Sequence, residues 1–155
     1  MKTKILMVCL GNICRSPLAE GILKQKVDKD QVFVDSAGTA SYHIGKQPDP
    51  RSIAVAKKHG IDISTQRCRQ FTPMDFEEFD HIFAMDKENY TNIIALAKNG
   101  KEQQKVKLML HQMSTSDHEV PDPYYGGDQG FEKVYQLLDS ACEQLAQELN
   151  KKYSG

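Results

Sequence analysis

Short apolar runs alternate along this chain with longer stretches of helical period. Ile5–Val8 is an uninterrupted apolar run, which predicts a strand covered on both faces. Leu18, Ala19, Ile22, Leu23 and Val27 then recur at helical spacing, which predicts an amphipathic helix over residues 17–27. Val32-Phe33-Val34 predicts a second short strand, ending in Asp35-Ser36-Ala37-Gly38, and residues 39–48 read as an irregular loop carrying Tyr42. Asp49 and Pro50 sign a helix start, Lys57-Lys58-His59 a last turn, and Gly60 a left-handed stop. Thr72-Pro73-Met74-Asp75 opens a short helix, with Asp75 placed to close a capping box. His81–Met85 is a third buried-type strand, and Asp86 caps a helix whose face is Tyr90, Ile93, Ile94 and Ala97 and whose end is Gly100. Val106–Leu110 is a fourth strand. Residues 111–130, with Pro121 and Pro123, read as loop, and Phe131, Val134, Tyr135, Leu138, Cys142, Leu145 and Leu149 stripe a long final helix.

Strands alternating with helices, joined by connections too long for hairpins, predict an α/β fold: a three-layer sandwich with a parallel sheet and helices on both faces. In such folds ligands bind at the carboxyl ends of the strands. The chain of 155 residues suits one domain over residues 1–155. No repeat or linker interrupts it. A formal net charge of −1 gives no basic face for nucleic acid, and no apolar run approaches the length of a membrane span. The N-terminal residues lack a signal-peptide pattern, and Cys9, Cys14, Cys68 and Cys142 have no disulfide-framework or metal-ligand spacing, so a cytoplasmic protein with reduced thiols and no metal is expected.

The chemistry concentrates just after the first strand. Between Val8 and Pro17 a tight loop carries Cys9 at one end and Arg15 six positions later, and Ser16-Pro17 reads as a helix start. A strand, a loop and a helix N-terminus gather free N–H groups and the positive end of a helix dipole at one spot. That field favours an anion, and it favours thiolate over thiol at a cysteine on its rim. An Arg closing the loop can grip two oxygens of a phosphate-like anion. No other cysteine of the chain has an Arg six positions on.

The full string Val8-Cys9-Leu10-Gly11-Asn12-Ile13-Cys14-Arg15-Ser16-Pro17 closely resembles the signature of the low-molecular-weight protein tyrosine phosphatases. The resemblance continues through Ser36-Ala37-Gly38, Pro48-Asp49-Pro50-Arg51, Arg69-Gln70, Phe79-Asp80, Met85-Asp86 and Asp122-Pro123-Tyr124-Tyr125, and so covers nearly the whole chain. It implies a four-stranded parallel sheet flanked by helices, and hydrolysis of phosphotyrosine and aryl phosphates with no cofactor. It makes Cys9 the nucleophile and carrier of a phosphocysteine. Backbone N–H groups of Leu10, Gly11, Asn12, Ile13, Cys14 and Arg15, with the Arg15 guanidinium, would hold the phosphoryl oxygens. Asp122 would be the general acid, then the base for water. Asn12 would take a left-handed conformation held by Ser36, Ser16 would donate to the Cys9 thiolate, and Tyr42 and Tyr124 would wall the substrate ring. Cys14 would be a redox partner of Cys9, and Tyr125 a surface phosphorylation site. The implied partners are phosphotyrosine proteins, with inorganic phosphate or vanadate as competing ligands, bound by a monomer.

The chain also departs from the family pattern. Gln66 stands where a histidine is common, which leaves that histidine's role unfilled, and Tyr42 stands where Trp is frequent. His43 is placed to tune leaving-group preference. Cys142 reads as core, Cys68 as an exposed or half-buried thiol without a role, Tyr90 and Tyr135 as packing, the histidines as solvated, and Asp49 and Asp86 as helix caps without chemistry. A phosphoarginine phosphatase on this scaffold would carry Thr at position 13 and lack the paired tyrosines. An arsenate reductase would need two further cysteines close together downstream, whereas Cys68 and Cys142 lie far apart. A phosphate reader without catalysis would lack Cys9 or Asp122.

Overall fold

The computed structural model describes residues 2–111, 118–123 and 127–154, with the side chains of 130–151 in the last of these segments. Its elements follow in the order β1 (Thr3–Cys9), α1 (Arg15–Lys26), β2 (Val32–Gly38), α2 (Pro50–Lys58), α3 (Asp75–Glu78), β3 (His81–Ala84), α4 (Lys87–Ile94), α5 (Gly100–Gln104), β4 (Val106–Leu108) and α6 (Gly127–Ser154). All strand pairs are parallel, and the four-stranded sheet runs β2-β1-β3-β4. The order reverses direction between β1 and β3, so a crevice opens beyond their carboxyl ends.

Alternation along β1 explains the two layers of helices. Ile5, Met7 and Cys9 point to one face, where Val32, Val34 and Phe83 join Leu18, Ile22 and Leu23 of α1 and Phe131, Val134, Leu138 and Cys142 of α6. Leu6 and Val8 point to the other, where Ala37, Ile82 and Ala84 meet Phe71, Phe76 and Phe79 around α3, and Ile93 of α4. Each such aliphatic side chain contributes about 1.5–3 kcal/mol on full burial. The predicted α/β sandwich is therefore present, with every predicted strand in place. No described helix is long and apolar enough to cross a membrane.

The ends carry the informative differences. α1 begins at Arg15, two residues before Pro17, so the proline occupies the third helical position. That is tolerated because first-turn N–H groups have no intrahelical acceptor. β2 ends in Asp35-Ser36-Ala37-Gly38 as expected, whereas α6 begins at Gly127 within the stretch read as loop. Gly100 does not close the fourth helix. Asn99 caps a separate short helix, α5, its Oδ1 accepting from Glu102 N–H at 2.9 Å. The signed ends of α2 hold: Asp49 accepts from Arg51 N–H, and Gly60 sits at φ +83° just past the helix. Asp75 accepts from Thr72 N–H at 2.9 Å, but the short helix begins at Asp75 itself with Met74 as its cap, so the expected capping box does not form. Cys142 and Tyr135 are buried as read. His59 is not simply solvated, because its ring stacks on Tyr135 at 3.9 Å and its Nε2 meets Glu132.

Candidate active site

The loop from Cys9 to Arg15 is held by its carbonyl oxygens. Cys9 O accepts from Thr39 N–H and Leu10 O from Ala40 N–H, both at 2.9 Å, and Ile13 O accepts from Asp49 N–H at 2.8 Å. Asn12 O accepts from the Cys68 thiol at 2.8 Å, and Cys14 O from Ser52 Oγ at 3.4 Å. The peptide bonds of the described residues are trans, and across a planar trans peptide the next N–H points opposite to the carbonyl. Outward carbonyls at Cys9, Leu10, Asn12, Ile13 and Cys14 thus turn inward the N–H groups of Leu10, Gly11, Ile13, Cys14 and Arg15. Those are the loop residues that, with Cys9, line a cavity of about 270 Å³, whose remaining walls are Tyr42, His43 and Asp122. An anion there meets converging N–H donors at the start of α1. Asn12, predicted to share the phosphate, is absent from the lining.

Asn12 works from behind the loop. It holds φ +57°, a left-handed conformation Asn tolerates better than most residues. Its Nδ2 donates to Ser16 Oγ at 2.8 Å and Ser36 Oγ at 3.0 Å, and its Oδ1 accepts from Arg69 N–H at 3.0 Å. Ser16 Oγ lies 3.0 Å from Cys9 Sγ. That oxygen accepts from Asn12, and its own proton has the sulfur or, at 3.4 Å, Ala37 O as acceptor. Ser36 donates in turn to the buried Glu20 carboxylate at 2.6 Å, whose other oxygen takes Lys24 at 2.6 Å. Burial pushes the Glu20 carboxyl above its ordinary value, against the pull of Lys24 and Ser36. Gln66, standing where a histidine is common, donates from Nε2 to Pro17 O at 3.1 Å and ties its segment to α1.

Arg15 spans the crevice between β1 and β3. Its side chain is only 3% exposed; Nη1 donates to Asp86 Oδ2 at 2.6 Å and Val120 O at 3.0 Å, while Nη2 stands 3.7 Å from Asp122 Oδ2. Burial alone would lower the guanidinium's pKa, but negative charge on Cys9, then Asp86 and Asp122, raises it, so Arg15 stays cationic. Asp86 is a helix cap, as read, through Oδ1 on Asn89 N–H at 2.8 Å. Reading it as without chemistry missed its second oxygen, which orients Arg15. Burial, then Asp49 and Cys9, pushes the Cys14 thiol up to about 12.

The remaining candidates divide. Tyr42 lines the cavity while staying 70% exposed, so one ring face is open to a substrate. His43, half-buried, lines it beside Tyr42. Tyr124 and Tyr125 lie outside the described residues. Cys68, read as exposed or half-buried and without a role, is buried and bonded to the loop. Asp86, bonded to Arg15, and Cys68, bonded to the loop, are the contacts of the site that the chain pattern did not reveal.

A cysteine facing inward N–H groups, with an arginine and a carboxylate at the rim, is the arrangement that a cysteine-centred phosphate site requires, set here on a parallel α/β sheet. Residues 4–154 match the family model for low molecular weight phosphotyrosine protein phosphatase. A Synechocystis sp. protein with that family designation is 49% identical over 153 residues, covering 96% of this chain and 97% of its own, and the human low molecular weight phosphotyrosine protein phosphatase is 38% identical, covering 89% and 90%. Among solved structures, an Entamoeba histolytica protein tyrosine phosphatase superposes with a TM-score of 0.90 at 40% identity, covering 98% and 99%. Vibrio vulnificus Wzb in complex with benzylphosphonate superposes at 0.85 and 32% identity, covering 96% and 99%. The chain belongs to the low molecular weight phosphotyrosine protein phosphatase family; it is a hydrolase of phosphoprotein substrates.

One backbone position limits the loop from the sheet side. A Cβ on Gly38 would stand 2.8 Å from Leu10 O and 3.0 Å from Asn12 N, both backbone atoms that cannot swing aside. Gly38→Ala is expected to cost about 1–3 kcal/mol of stability by overpacking. It should lower kcat/KM for para-nitrophenyl phosphate through displacement of Leu10 and Asn12. A melting curve and a turnover assay together check this; unchanged values in both would show that the loop yields freely.

Proposed function

We propose that Cys9 attacks the phosphorus of a phosphotyrosine side chain, with Arg15 and the inward N–H groups as charge acceptors and Asp122 as proton donor. The observation that carries this reading is the convergence of Cys9, Arg15 and Asp122 on one cavity. The S–P bond forms as the P–O bond to the ring breaks, and the departing phenolate takes the Asp122 proton. Water then attacks the phosphocysteine, the Asp122 carboxylate removes its proton, and the Cys9 thiolate leaves with inorganic phosphate released. Ser16 stabilises that thiolate, and Ser36 acts through Asn12 on the loop's shape.

An aromatic ester suits the walls: Tyr42 and Ile13 offer apolar faces above the cradle, and Wzb's benzylphosphonate is a ring joined to a phosphonate. Ile13 in the lining favours this ester over phosphoarginine. By the family resemblance, Tyr124 would contact the substrate ring and Tyr125 would be a phosphorylation site. Inorganic phosphate and vanadate would compete for the cradle. Cys14, sharing the cavity with Cys9, would condense with a peroxide-oxidised Cys9 sulfenic acid, losing water and forming a disulfide. The whole chain would act as one cytoplasmic domain and a monomer, with neither nucleic acid nor membrane as partner.

Asp122→Ala is the test. Phosphotyrosine has a poor leaving group, so its turnover should fall by about 10²-fold or more, the range for a positioned general acid. An aryl phosphate whose phenolate leaves unaided should be slowed much less. Equal slowing of both would remove Asp122 from the acid role.

A further inference from the structure

The phosphate loop is anchored at most of its carbonyls by backbone N–H groups, which no substitution of those residues other than proline removes. The peptide between Asn12 and Ile13 is held differently. Its carbonyl takes the Cys68 thiol at 2.8 Å, across 56 positions of sequence. The same sulfur has Gln47 O as a second acceptor, at 3.8 Å. Burial, then the charge on Cys9, pushes the Cys68 thiol up to about 11, so it carries its proton at neutral pH and can donate.

The backbone of Cys68 makes the connection two-sided. Its N–H donates to Lys46 O and its carbonyl accepts from Gly45 N–H, both at 2.8 Å. Residues 45–46 close the turn that presents Tyr42 and His43 to the cavity. Cys68 itself does not line that cavity, so it sits on the side of the Asn12–Ile13 peptide away from it. Asn12 is also the loop residue at positive φ, where the peptide has few alternative supports and its orientation depends on what grips it.

We propose that Cys68 is a positioning residue of the phosphate site: by donating to Asn12 O it keeps the Ile13 N–H turned into the cradle, and it ties that peptide to the turn bearing Tyr42. This rests on the reading of Cys9 as the nucleophile facing that cradle. Phosphate and the transition state both use the Ile13 N–H, so losing the anchor weakens both.

The test compares Cys68→Ala, which deletes the donor, with Cys68→Ser, which keeps one. Measurements are kcat/KM for para-nitrophenyl phosphate, the inhibition constant of inorganic phosphate, and melting temperature, with Cys9→Ser as reference. Cys68→Ala should lower kcat/KM roughly three- to tenfold and weaken phosphate inhibition in parallel, as loss of one hydrogen bond predicts. Cys68→Ser should return both values to within about twofold of the parent. Wild-type kcat/KM and phosphate inhibition in Cys68→Ala would overturn the proposal. So would equal impairment of the two variants at unchanged melting temperature, since packing rather than donation would then be the cause. Turnover by Cys9→Ser would instead bring down the reading of the site.

Discussion

Cys9→Ser should abolish turnover, with kcat/KM falling by at least about 10⁴-fold, the scale of a lost nucleophile. An alcohol needs a base to become an attacking oxygen, whereas a thiol gives up its proton far more readily. In the proposed mechanism Asp122 begins the cycle as the acid, so it would not serve as that base. The loop's carbonyl anchors do not involve the Cys9 side chain, so the inward N–H groups should persist and inorganic phosphate should still bind. Phosphate affinity by calorimetry close to wild type, alongside lost hydrolysis of para-nitrophenyl phosphate, is the expected pair of results. If wild type and Cys9→Ser were equally inactive, the site would be a phosphate reader and no enzyme.

What the chain pattern revealed and what it concealed follow from range. β1, the loop and α1 are contiguous, so Cys9, Arg15 and Ser16 could be placed together from spacing alone, and the period-2 and period-3.6 patterns distinguish strands from helices wherever both layers are buried. Asp122, Ser36 and Tyr42 were found because the family resemblance supplied their roles; nothing local separates Asp122-Pro123 from a turn. Asp86 shows the limit most clearly. Its local signature, an acid before a helix, is satisfied by Oδ1 alone, and only the β1–β3 pairing brings Oδ2 to Arg15. The rule that ligands gather beyond strand ends would have singled it out, since it follows β3 by two residues. Cys68 carried no such signal. Its thiol matters through a carbonyl far away in sequence, and a carbonyl leaves no mark on residue type. Helix ends were least legible, because Gly100 and Asn99 fit either the close of one helix or the start of another.

Arg15→Lys keeps the charge, so its expected severity depends on geometry. Nη1 is committed to Asp86 and Val120 O, and Nη2 extends toward Asp122 and the cavity. A guanidinium does both because its donors are fixed in one plane, with one edge for the protein and another for two phosphoryl oxygens. An ammonium places its donors around a single nitrogen. Drawn to Asp86 it withdraws from the anion, and drawn to the anion it leaves Asp86 without its partner. The equatorial charge of the transition state would lose its two-pronged contact, and kcat should drop by about 10²–10³-fold, as when an oxyanion donor is removed. The half-buried Asp86 would also lose a charged hydrogen bond, so the melting temperature should fall as well. A double variant, Arg15→Lys with Asp86→Asn, separates the two effects. Removing the competing carboxylate should restore much of the stability and little of the rate, because no lysine conformer supplies two parallel N–H donors. Full recovery of kcat in the double variant would mean that charge alone, without planar geometry, serves the transferring phosphoryl group.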